Sequence, residues 1–216
     1  MCFSTSASFG AGIVLTAIGV ASVKKINKPS QALYASMPLL FACQQFIEGF
    51  VWLSLTNPEY SYWQSIPTNL FLFFAQVLWP IWVPLSIFLI EENKTRKKIL
   101  LVLLAIGILL SSYISYCMFN YTVDAYLSPY HVNYVPHFPK INPMLGALYF
   151  LPIFLPSFVS GIKNMFWQGL LLVLSYVVTK LLFNDAVISV WCFFAALVSI
   201  MVFLVMSKLP NTSKIN

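Results

Sequence analysis

The sequence predicts an all-α polytopic membrane protein of seven transmembrane helices, with its amino terminus outside and its carboxyl terminus in the cytoplasm. Of 216 residues, 60% are apolar or aromatic and 8% are charged, against roughly 45–50% and 25% in soluble domains. Uncharged runs repeatedly approach or exceed the about 20 residues that cross a hydrocarbon core. Ten of the twelve Lys and Arg fall in alternate connections, the short-loop bias that sets orientation. Such a composition excludes a soluble enzyme, a disordered chain, a disulfide-stapled module and a nucleic-acid reader.

The expected spans are 7–23, 32–55, 68–90, 98–119, 143–161, 164–183 and 186–206, forming one domain over 1–208 with a short polar tail at 209–216. The first run has no basic residue before it, so it is expected to stay as a helix and not to leave as a signal peptide. Lys24, Lys25 and Lys28 follow it, and Lys94, Arg96, Lys97 and Lys98 follow the third span. Lys163, Lys208 and Lys214 complete the cytoplasmic set; only Lys140 and Lys180 oppose it. Lys180 lies three residues from the end of its span, where its stem can carry the ammonium to the interface. The net charge of +6 is therefore a topology signal. The basic rim also suits anionic headgroups.

Continuous apolar runs mean helices and not barrel strands, which would alternate. Asn142 before Pro143 is a cap followed by proline at the first helical position. Gly161 is expected to end the fifth helix and Asn164 to cap the sixth, while Asn184-Asp185 turns tightly into the seventh. Prolines recur as Pro80-Ile81-Trp82-Val83-Pro84 and Pro152-Ile153-Phe154-Leu155-Pro156. Each proline frees the carbonyl four residues earlier, at Gln76 and Pro80 in one helix and Leu148 and Pro152 in the other. The pattern reads as a kink device and not as an inverted duplication.

Residues 56–67 and 120–142 read as irregular outer loops rich in aromatic rings. His131 and His137 lie on the second, but no acidic or Cys partner stands at metal-binding spacing, so no metal and no cofactor are assigned. Cys43 is mid-membrane; Cys2, Cys117 and Cys192 map to the outer side, where a bridge is chemically allowed. Ser8, Gly12 and Thr16 recur at four-residue spacing, a small-residue face for close helix packing within the chain or between two copies.

The sharpest polar feature is Gln44-Gln45-x-x-Glu48-Gly49-x-x-Trp52. At 3.6 residues per turn, 44, 48 and 52 stack on one face with 45 beside them. An ionisable group within a span normally faces a cavity or a partner. Gln76 and Trp79 of the third span fall at comparable depth, with Ser111, Ser112, Ser115 and Tyr116 from the fourth. Ser175, Tyr176, Thr179, Asp185 and Ser189 add to the same outer half. The expectation is an outward-facing polar cavity centred on Glu48, with Ser4 near its mouth. The alternative is a structural network in which Gln44, Gln45 and Gln76 satisfy a neutral Glu48.

Met1-Cys2-Phe3-Ser4-x-x-Ala7-Ser8-Phe9 and Gln44-Gln45-x-x-Glu48-Gly49-x-x-Trp52 together resemble a family of small, mainly bacterial multipass membrane proteins known only as a domain of unknown function. That resemblance implies a bacterial cytoplasmic membrane and adds Cys2, Phe3 and Ser4 to Gln45, Glu48 and Trp52. It carries no activity. Three functions stand open: a transporter, channel or binder of a small polar ligand, cation or proton; an intramembrane lipid-modifying enzyme; and a scaffold for another membrane protein. The enzyme reading is the poorest supplied, because no span holds a His and no Gly-x-Ser-x-Gly elbow occurs.

Overall fold

The computed structural model describes residues 4–128, 131–139, 147–182 and 187–209. Helix α1, Thr5–Val23, starts where the Ser4 hydroxyl accepts the Ala7 N–H at 3.2 Å, satisfying one of the donors that open every helix. A single turn at Pro29–Gln31 and α2, Ala32–Ala35, lead into α3, Met37–Thr56. Helix α4, Ser65–Leu72, runs through a π-helical stretch at Phe73–Leu78 into α5, Trp79–Ile90. Helix α6, Lys94–Asn120, is capped by Asn93, whose side-chain oxygen accepts the N–H groups of Thr95 and Arg96 at 2.9 and 3.1 Å.

The widened turn lies immediately before Pro80, which has no N–H to return to the preceding turn. Its carbonyls find other donors. Ser111 of α6 donates to the Val77 carbonyl at 2.7 Å, and the Tyr149 hydroxyl donates to that of Ala75. One turn on, the Pro80 carbonyl, which Pro84 cannot engage, lies against Gly107 of α6; a Cβ there would stand 1.9 Å from that oxygen.

After α6 the chain forms an antiparallel hairpin of β1, Val123–Ser128, and β2, His131–Pro136, with Ala125 opposite Tyr134. This corrects the expectation of irregular backbone at 120–142. The signal was present as two β-branched and aromatic stretches flanking Ser128-Pro129. The strand turns Val132 and Tyr134 down onto Val51, Trp52 and Phe71. His131 begins β2, and His137 pairs with Asp124 at 2.8 Å, both largely exposed.

Helix α7, Leu151–Val159, then α8, Met165–Leu182, α9, Val187–Phe193, and α10, Ala195–Lys208, complete the bundle. Asn164, at φ 72°, makes the turn into α8, a backbone region that asparagine tolerates better than most residues. Among the described residues five helical stretches are long and apolar enough to cross a membrane: Thr5–Val23, Pro29–Thr56, Ser65–Ile90, Lys94–Asn120 and Met165–Leu182. They coincide with the first four and the sixth expected spans. The fifth and seventh expected spans hold α7 and the pair α9 and α10, no one of which is long enough to cross by itself. The expected Asn142-Pro143 cap and Asn184-Asp185 turn lie outside the described residues, as does the tail from 210.

Helix α1 packs most extensively on α3 and next on α10. Gly12 meets the Phe46 ring, Gly19 meets Leu39, and Gly49 meets Phe9, so the small-residue face is spent on contacts within the chain. At the lysine-rich end, the connection after α5 is tied to the connection after α7 by one carboxylate. Glu91 accepts from the Gly161 N–H and Ser160 hydroxyl, both at 2.9 Å, and from the Asn93 N–H at 3.1 Å. Burial pushes its pKa up, but these donors and the nearby Arg96 charge outweigh burial and hold it below the usual carboxylate range.

Candidate functional site

The helices line a partly open cavity of about 670 Å³, within the usual size of small-molecule sites, about 300–1,000 Å³. Helix α3 contributes Met37, Phe41 and Gln44; the π turn and α5 contribute Ala75, Gln76, Trp79 and Val83. Helix α8 adds Gln168, Leu172 and Tyr176, which recur on one face at four-residue spacing. Trp191 closes the wall opposite α5, and Pro136 and Phe138, just after β2, reach its hairpin end.

Two aromatic groups shape the interior. Phe41 stacks on Trp79 with ring centroids 4.0 Å apart. Phe150, Tyr176 and Trp191, also in the lining, pack with ring centroids 4.5 to 6.3 Å apart. Three amides interrupt these surfaces. Gln44 accepts the Trp79 indole N–H at 2.9 Å, which fixes both side chains. The carbonyl oxygen of Gln168 accepts the Tyr34 hydroxyl at the end away from the hairpin. Gln76 forms no hydrogen bond with any described residue, and its amide lies in the wall.

The described cavity is largely apolar, and Glu48 is not among the residues that line it. Glu48 is fully buried but stands behind the wall, one turn from Gln44 along α3. Its carboxyl accepts the Ser189 hydroxyl of α9 at 2.7 Å and a Gln45 N–H at 3.2 Å. The two side chains share a face of α3 but stand one turn apart along it, so Gln44 is level with Trp79 of α5 and Glu48 with Ser189 of α9. Glu48 makes no bond to Gln76, so the meeting suggested by equal depth does not occur.

Trp52 is buried beneath the hairpin, with its indole N–H unpaired among the described residues. The Gln45 carbonyl oxygen, also buried, has no partner there. Ser112 and Tyr116 are exposed on the outside of α6, Tyr116 at 61%. That helix turns Gly107 and Ser111 inward, which leaves Ser112 and Tyr116 facing out. Ser4 serves as the α1 cap, while Cys2 and Phe3 lie outside the described residues. Cys117 is a buried free thiol and Cys43 an exposed one.

Sequence reasoning missed Tyr34, Gln168 and Trp191. A Gln in α8 at four-residue spacing from Leu172 and Tyr176 was the available signal. Among the described residues no group of three or more His, Cys, Asp or Glu is placed to hold a metal ion.

Residues 1–215 match a family described as "Family of unknown function (DUF6629)". The chain belongs to this family. The match spans both motifs that carried the resemblance and continues through the cavity-forming helices. No curated protein and no solved structure matches the chain. For this DUF6629 member, function has to be argued from its own cavity.

Proposed function

We propose that the protein is a seven-span integral protein of a bacterial cytoplasmic membrane, amino terminus outside, that binds and transports a small ligand through its central cavity. The observation that carries this reading is the cavity itself, a concave and largely apolar space of ligand size between the helices. The unengaged Gln76 amide supplies a polar contact, and the π turn beside it supplies a wall already displaced from ideal helix geometry.

Glu48 is the second element of the reading. It joins α3 to α9 directly behind the cavity wall, so a change in its protonation bears on both helices.

The test is a ligand screen by thermal stability of the purified protein, compared with Leu172→Trp, which puts an indole into the ligand's space. A saturable shift in the wild type that Leu172→Trp loses, with helical content kept, supports the proposal. Equal shifts in both proteins, or none with any ligand class, end it. Uptake into proteoliposomes then separates transport from binding alone.

A further inference from the structure

Resting on the cavity reading above, we infer that the ligand is a neutral, lipid-soluble molecule with a flat, hydrogen-bond-accepting head and an apolar body.

No Lys, Arg, His, Asp or Glu stands among the described residues that line the cavity. A charged ligand there would shed its hydration without gaining a counter-ion, an expense of several kcal/mol or more. The polar groups of the wall include two amide donors, one of which, Gln168, has only N–H groups left to offer. The Gln168 oxygen is committed to Tyr34, which leaves its N–H groups for an occupant, and Gln76 offers its own N–H groups from the wall formed by the π turn. A carbonyl or comparable acceptor satisfies either.

The aromatic surfaces select for shape. The Phe41 and Trp79 pair and the group of Phe150, Tyr176 and Trp191 all line the space, and flat rings gain by stacking on such faces beyond their area burial. An apolar remainder fits the surrounding aliphatic wall. Access agrees with this chemistry: Tyr113 lines the cavity and is 42% exposed on α6, next to Leu109 and Tyr116 on the surface turned to the bilayer. A molecule dissolved in lipid reaches the cavity on that side without crossing water.

Three probes of matched chain length decide the matter in lipid nanodiscs: decylubiquinone, with a neutral carbonyl-bearing ring; decylbenzene, with a ring and no acceptor; and decanoate, with a charged head. Saturable binding of decylubiquinone is expected, roughly tenfold tighter than decylbenzene, the worth of one or two hydrogen bonds. Gln76→Leu is expected to shrink that difference at least threefold while decylbenzene binding holds. Decanoate binding as well as decylubiquinone overturns the inference, as does an unaltered preference in Gln76→Leu. Saturable binding of only charged or strongly polar ligands overturns it while leaving the cavity reading in place. Absence of saturable binding by every ligand tried, or undiminished binding by Leu172→Trp, overturns both.

Discussion

Single side chains set what each end of this bundle can do, and Glu91 is the clearest case. Its folded-state pKa is depressed, so its carboxylate contributes stability in full above the ordinary carboxylate range. That contribution disappears as pH falls through the depressed value. Thermal denaturation in detergent as a function of pH should show this acid-side loss in the wild type and a flatter profile in Glu91→Gln. Glu91→Ala, which strands the Gly161 and Asn93 N–H groups, should cost about 1–3 kcal/mol at neutral pH. Glu48→Gln keeps an acceptor for Ser189 and should fold; the transport reading expects uptake in proteoliposomes to lose its pH dependence. Unchanged pH dependence would reduce Glu48 to a structural strut. At this scale the sequence showed Gln44, Gln45, Glu48 and Trp52 through helical spacing alone. It could not show that Gln44 enters the cavity while Glu48 turns to Ser189, because the partners are distant in sequence.

At the level of helices and strands, glycine positions give the sharpest contrast. Gly107 has the Pro80 carbonyl where a side chain would begin, whereas Gly10 has nothing within 4 Å. Gly107→Ala should therefore destabilise by about 1–3 kcal/mol through forced separation of α5 and α6. Gly10→Ala should stabilise by about 0.5–1 kcal/mol through helix propensity. Paired unfolding curves in one detergent measure both. The prolines that cause the close approach were legible, and so was their release of carbonyls. What fills that deficit was not: Ser111 and Tyr149 come from other helices. The hairpin was misread because its aromatic residues satisfy two descriptions, interfacial loop and buried strand face. Only pairing with the helix ends below distinguishes them.

For the molecule as a whole, hydropathy was enough to indicate a mainly helical chain with helices long and apolar enough to cross a membrane. It could not indicate an apolar interior cavity, since lipid-facing and cavity-facing residues have the same composition. The proposed topology is open to direct measurement. Impermeant maleimide on intact cells should label single cysteines placed at Ser61 and near His137, and should spare one placed at Thr95 until the membrane is opened. Labelling of the Thr95 position in intact cells would invert the assignment.

The Glu91 tie also constrains how the bundle can move. It fastens the α5–α6 and α7–α8 connections at one extremity, while the π turn interrupts the α4–α5 stretch mid-way and the opposite extremity carries a hairpin resting on helix ends. A body pinned at one end and compliant at the other opens as a clothes-peg does. Helices around the chamber should thus splay about the lysine-rich rim, with the largest excursion at the strands.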